Sequence, residues 1–231
     1  GVSYADYGRP LRYAISSLNR PGFTHSMGEW MQSLPEIDAR LRHGGVIVDA
    51  GCGTGWSSIA LARLYPRASV VGLDLDTASL AEARTHAEAA GVSDRVEFER
   101  VDVGDRRAVA TAVGARAQLV TIFEALHDMN GPERALRALS GVLDDGGAIL
   151  VADEKVADAF APGGDFLERL NYAFSILHCL PATIAEGGGE ANGTVLRATT
   201  VTRWAESAGL ATPTVLDVDN PVWRFYRIDR R

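Results

Sequence analysis

Long apolar runs are absent from this chain. None approaches the ~20 residues that span a bilayer, and no succession of basic, apolar and small residues marks a signal peptide. A membrane is therefore not an expected partner. Basic excess is absent too: the net charge is −7. Non-specific nucleic-acid binding leans on basic surface, so nucleic acid is not expected either. Cysteine is scarce. Cys52 and Cys179 are the two present, with no metal-type spacing, which favours a reducing, cytoplasmic setting. Internal repeats are lacking. What remains is an ordinary globular composition, 46% hydrophobic and 23% charged, in 231 residues. That is enough for one large domain, or one domain with an added cap.

The stretch VIVDAGCGTGW (46–56) organises the rest. A short β-branched run leads through Asp49 into Gly51, Gly53 and Gly55, and a helical pattern begins at once. Glycines let backbone approach a ligand, and a loop at a helix start offers N–H donors beside the positive end of the dipole. Ahead of it, residues 1–43 are punctuated by Pro10, Pro21 and Pro35, which predict short helices over 11–18 and 27–34. This segment reads as a helical lid over the ligand site or as a packing arm.

From residue 46 to 153 strands and helices alternate. Strands are expected at 46–50, 69–74, 95–101, 117–124 and 148–153, the last entered by a turn at 144–147. Helices are expected at 55–65, 78–90, near 105–113 and from Pro132. Alternation of this kind means a parallel sheet with helices on both faces, an α/β fold. Residues 44–231 form this domain, with 155–197 as an insertion holding a helix at 165–179 and a glycine-rich loop at 186–193. After it come a helix at 199–208 and strands near 212–218 and 222–228. The last two strands are too close in sequence to be anything but antiparallel.

Two ligand types compete for the glycine loop. The dinucleotide fingerprint needs glycine at 56, where Trp56 stands. Asp74 ends the second strand, where a carboxylate can accept from both hydroxyls of a ribose. Asp102 ends the third, placed to accept from an adenine amino group, with the Val103 N–H as donor to the ring. Two carboxylates and no basic residue in the loop suit a nucleoside without phosphates, such as S-adenosylmethionine.

The runs VDAGCGTGW, GLDLD (72–76) and VDVGD (101–105) resemble class I S-adenosylmethionine-dependent methyltransferases. That resemblance implies a Rossmann-like methyltransferase fold: a mostly parallel seven-stranded sheet with an antiparallel last strand. FEALHDM (123–129), DEKVADAF (153–160), YAFSILHCLP (172–181) and WRFYRI (223–228) are similar to a bacterial subgroup that often carries a winged-helix domain ahead of the catalytic one. Here such a domain was removed ahead of Gly1 or is lacking. The resemblance implies cofactor contacts at Gly51, Gly53, Asp74 and Asp102. Asp49, Gly55, Leu75, Val103 and Glu124 are further cofactor-side candidates.

The expected reaction is methyl transfer to oxygen or nitrogen of a small-molecule acceptor, by in-line displacement. The resemblance brings Glu124 and the loop after it beside the transferable methyl. His127 is the candidate base, because its intrinsic pKa of about 6.5 suits proton abstraction at neutral pH; Asp128 or Glu154 would orient it. No metal is expected. On helix 165–179, Phe166, Leu170, Phe174 and Leu177 make an apolar stripe, while Glu168, Asn171, Ser175 and His178 share another face. That polar face reads either as solvated or, with Glu154 and Tyr172, as the substrate side. His86, mid-helix among Ala and Glu, is expected in solvent. A homodimer is compatible with the chain. The rival functions are a regulatory module that binds S-adenosylmethionine without turnover and a nicotinamide oxidoreductase.

Overall fold

The computed structural model describes residues 1–187 and 191–231; Gly188, Gly189 and Glu190 of the glycine-rich loop lie outside the described residues. The front segment holds α1 (Tyr4–Met31) and α2 (Pro35–Arg42). The two short helices expected there are one long helix, with Pro10 and Pro21 inside it. The chain breaks at Gly8 (φ 68°), so Pro10 falls in the first turn after the break, where its missing N–H costs little. Beyond Pro21, burial of Phe23, Met27, Trp30 and Met31 outweighs one lost hydrogen bond.

The alternating region follows as β1 (Gly45–Ala50), α3 (Trp56–Leu64), β2 (Ala68–Asp74), α4 (Thr77–Ala90) and β3 (Val96–Arg100). Then come α5 (Arg106–Val113), β4 (Ala117–Phe123), a single 3-10 turn (Leu126–Asp128), α6 (Pro132–Ser140) and β5 (Leu143–Glu154). The expected turn at 144–147 is absorbed into β5, whose register against β4 shifts between Ala117 and Leu119. The insertion contains α7 (Phe166–Phe174), a π-helical turn (Ser175–Cys179) and α8 (Leu180–Ala185). The chain ends with α9 (Ala198–Ser207), β6 (Thr214–Val215) and β7 (Trp223–Asp229), so the strand expected at 212–218 is only two residues long.

The seven strands form one sheet in the order β3-β2-β1-β4-β5-β7-β6. Strands β1 to β5 pair in parallel, and β7 runs antiparallel to both β5 and β6. One apolar layer joins the sheet to α1, α2, α3 and α4 through Trp30, Ile37, Ile59 and Leu80. The other joins it to α5, α6 and α9 through Val109, Leu139 and Trp204. Strand order reverses between β1 and β4, which opens a crevice beyond their carboxyl ends. The expected Rossmann-like fold is the fold observed.

Candidate active site

Beyond β1 the glycine loop turns its own donors inward. The N–H groups of Gly51 and Cys52 both reach Leu73 O (2.8 and 3.1 Å), Gly53 N–H donates to Asp74 Oδ2 (2.8 Å), and Gly55 N–H donates to Cys52 O (2.9 Å). Those four donors are spent within the protein, so the loop does not present the N–H cradle expected for a phosphate. Gly51, at φ 74°, is needed for close approach: a Cβ there would lie 2.5 Å from Ala125 Cβ, in the loop after β4. Gly55 serves packing instead, since a Cβ would strike Phe98 and Ala83, and it does not line the cavity.

Asp49 is also internal. Its carboxylate accepts from Ser57 and Ser58 Oγ (2.6 Å each) and Thr121 Oγ1 (2.8 Å), which ties α3 to β4. Burial raises its pKa and the three hydroxyls oppose that rise. It braces the loop from behind and stands away from the cavity lining. Trp56 stacks on His86 (centroids 4.6 Å apart), with the Arg20 guanidinium 3.7 Å over its ring. His86 Nδ1 lies 2.9 Å from Thr54 O, so this histidine is a packing partner of the loop and not the solvated residue expected.

A cavity of about 560 Å³ runs from this loop across the carboxyl ends of β1 to β5. Gly51, Gly53, Asp74, Leu75, Asp102 and Val103 line one end. Asp74 holds the Gly53 and Asp76 N–H groups (2.8 and 2.9 Å), and burial raises its pKa against those two bonds. Asp102 accepts from Gly104 N–H (2.8 Å) and stands 3.5 Å from Arg134. Helix α1 covers this end with Tyr4, Arg12, Ser16 and Asn19, none of which the sequence singled out. Arg12 reaches Asp76 and Glu82 (3.8 and 3.4 Å), and Ser16 meets Thr54 (2.9 Å).

At the other end stand Glu124, His127 and Glu154. Glu124 is the one non-glycine among the described residues with positive φ (50°), a conformation costing roughly 1–2 kcal/mol. Its carboxyl accepts from Asn19 and faces the Glu154 carboxyl. Burial raises the pKa of both carboxyls, and the mutual repulsion of the pair raises Glu154 further. His127 is 2% exposed. Its Nδ1 lies 2.8 Å from Asp153 Oδ1, and its backbone N–H reaches Asp153 Oδ2 (3.3 Å). The carboxylate on His127 Nδ1 is therefore Asp153, where Asp128 or Glu154 was expected to orient the ring. The place of Asp153 at the end of β5, beside the end of β4, was the available signal. Asp128 Oδ1 lies 3.4 Å from Nε2, the other ring nitrogen. Burial alone would lower the His127 pKa, but Asp128 and Asp153 outweigh it and hold the pKa well above the usual value.

The insertion helix is turned opposite to the usual amphipathic arrangement. Glu168, Asn171, Ser175 and His178 are buried, while Phe166, Leu170, Phe174 and Leu177 are exposed. The polar stripe is thus not a solvated face. Glu168 binds Arg197 (2.8 Å), which also reaches the Tyr172 hydroxyl (3.2 Å). Ser175 packs against Gly193, where a Cβ would lie 1.9 Å from its Oγ. Of the residues expected on the substrate side, Asn171 and His178 line the cavity, and Tyr172 and Ser175 do not. His178 contacts Tyr4 and Tyr7 edge-on, its pKa is lowered by burial, and its Nε2 has no hydrogen-bond partner among the described residues. His127, Asp128 and Cys179 bring a nitrogen, an oxygen and a sulfur within 4.8 Å of one another. Burial pushes the Cys179 thiol up to about 11, so it sits in this array as a protonated, hydrogen-bonding group.

A family model described as a methyltransferase domain matches residues 41–206. The chain belongs to the methyltransferase domain family. The ubiquinone biosynthesis O-methyltransferase of Bordetella avium is 34% identical over 119 residues, covering 52% of this chain and 45% of that protein. An O-methyltransferase family protein of Burkholderia thailandensis has the same fold, with TM-score 0.65 and 19% identity over 99% of this chain and 63% of that one. So does the O-methyltransferase of neocarzinostatin biosynthesis, solved with S-adenosylhomocysteine and 1,4-dihydroxy-2-naphthoic acid (TM-score 0.61, 18% identity, 88% of this chain and 55% of that one). This methyltransferase domain spans about half the length of such curated relatives. Among its described residues no helix is long and apolar enough to cross a membrane.

Proposed function

We propose that this domain transfers the methyl group of S-adenosylmethionine to an oxygen or nitrogen of a small-molecule acceptor. One observation carries the proposal. A single cavity joins two strand-end carboxylates, Asp74 and Asp102, to an imidazole held by a buried carboxylate, at His127 and Asp153. The residues fit this cofactor: the loop's internal N–H bonds disfavour a pyrophosphate, and no basic side chain stands in the loop. Asp74 would hold the ribose hydroxyls, Asp102 and the Val103 N–H the adenine, and the Gly51–Gly53 turn the methionine portion. When bound, the cofactor supplies an electrophilic methyl on a sulfonium.

The chain's own residues do the rest. Asp153 fixes the His127 ring so that Nε2 is the nitrogen free to take the acceptor's proton. Asn171, His178 and Glu154 line the acceptor side, and α1 keeps water from the reacting atoms. Calorimetry with S-adenosylhomocysteine and with NAD tests the ligand: the first should bind and the second should not, and the reverse would overturn the assignment. Production of S-adenosylhomocysteine from a panel of phenols and amines tests catalysis. Binding with no turnover across the panel would favour a regulatory module.

A further inference from the structure

His127 poses a problem for the reaction just proposed. Its imidazole sits between Asp153 (Nδ1 to Oδ1, 2.8 Å) and Asp128 (Nε2 to Oδ1, 3.4 Å), out of solvent. Among the described residues, every other titratable group facing it is acidic or neutral: Glu124 from the end of β4, Glu154 from β5, and Cys179 and His178 from the π-helical turn. The arginines that line the cavity, Arg12 and Arg134, pair with Asp76, Glu82 and Asp102 at the nucleoside end. Positive charge at the reaction end is therefore supplied by the imidazole itself. An imidazolium has no lone pair with which to accept a proton.

The bound cofactor brings the missing change. The loop carrying His127 abuts the glycine turn at Ala125 and Gly51. The sulfonium joins the adenosyl and methionine portions, so it must lie in the stretch of cavity between Asp74 and this loop. Two cations there compete for the same carboxylates in a low-dielectric pocket. We infer that His127 gives up its Nε2 proton when S-adenosylmethionine binds and regains one when methyl transfer leaves a neutral thioether.

The charges balance through the reaction. The acceptor's lone pair forms the new bond to the methyl carbon, the S–C electron pair returns to sulfur, and the acceptor's proton moves to His127 Nε2. One positive charge thus stays beside Asp128, Asp153, Glu124 and Glu154 throughout, first on sulfur and then on the imidazole. The binding step itself prepares the base.

This inference rests on the proposed cofactor, and its test separates the two. The protein is titrated with S-adenosylmethionine and with S-adenosylhomocysteine near neutral pH, in two buffers of different ionisation enthalpy. The sulfonium ligand should release about one proton more than the thioether. In His127→Asn that difference should vanish while both ligands still bind. Should the variant fail to fold, the wild-type protein gives a second readout. The ratio of the two affinities should shift toward the sulfonium ligand by up to about tenfold per pH unit as pH rises, then level off. Equal proton counts and a pH-independent ratio overturn the inference and leave the cofactor assignment standing. A difference that persists in His127→Asn but disappears in Glu154→Gln also overturns it, because the proton then belongs to the glutamate pair. If neither ligand binds, the cofactor assignment fails, and the inference with it.

Discussion

The two ends of the cavity use carboxylates in opposite ways. At the end proposed for the nucleoside, Asp74 and Asp102 each accept from backbone N–H groups within two residues or on the adjoining glycine loop. At the end proposed for the reaction, Glu124 and Glu154 face each other, and Asp153 and Asp128 flank a buried imidazole. The first arrangement is local and depends on chain geometry. The second assembles side chains from α1, β4, β5 and the insertion, and depends on the protons they share. Binding and chemistry should therefore separate cleanly under mutation.

The largest effect should come from Asp153→Ala. Loss of the group that orients His127 should lower turnover by about 10²- to 10⁴-fold while S-adenosylhomocysteine affinity stays within about threefold. Steady-state kinetics beside calorimetry would check this, and a parallel fall in affinity would mean that the two ends are not separable. Asp74→Ala should do the reverse. It removes the acceptor for the Gly53 and Asp76 N–H groups as well as the ribose ligand, so affinity should fall at least about tenfold, or ~1.4 kcal/mol. Turnover at saturating cofactor should change much less. Unchanged affinity would sink the ribose assignment.

The same contrast explains what could be read from the sequence. Strand–helix alternation and the strand-end carboxylates are local patterns with fixed periods; they placed the sheet correctly, and Asp74 and Asp102 line one end of the cavity beyond it. Proline spacing misjudged α1, because burial of Trp30 and its neighbours overrides a local break. Asp153 could be placed at a strand end but not paired with His127, because that pairing depends on β5 lying beside β4, and Asn19 escaped notice because its partner Glu124 is far away in sequence. The faces of α7 were legible as stripes, but nothing in the stripes says which one turns inward.

Acidity should distinguish the ends next. Glu124 and Glu154 have raised pKa values in the folded state, so the folded protein holds protons that the unfolded chain releases above about pH 4.5. The stability they add is lost as pH rises through the folded-state values. His127 is also raised, and its contribution is complete below its unfolded value near 6.5 and lost at higher pH. Both slopes have the same sign. The ligand-free protein should melt at progressively lower temperature from about pH 6 to about pH 9, and Glu154→Gln should flatten that decline. A wild-type melting temperature that rises across this window would contradict the buried carboxyl pair.

The smallest effect should be on the far side of the same wall. Leu177 is 72% exposed on the helix whose polar stripe lines or braces the reaction end. Leu177→Ser should change unfolding free energy by no more than about 0.5 kcal/mol, as surface substitutions do. Were the apolar stripe packed inward in the usual way, truncating a buried leucine would cost about 2–5 kcal/mol. Urea melts of this one variant therefore test which face of α7 and the π-helical turn after it points inward, and with it the placement of Asn171 and His178 in the cavity. A cost in the buried range would rotate the helix and take both residues out of the site.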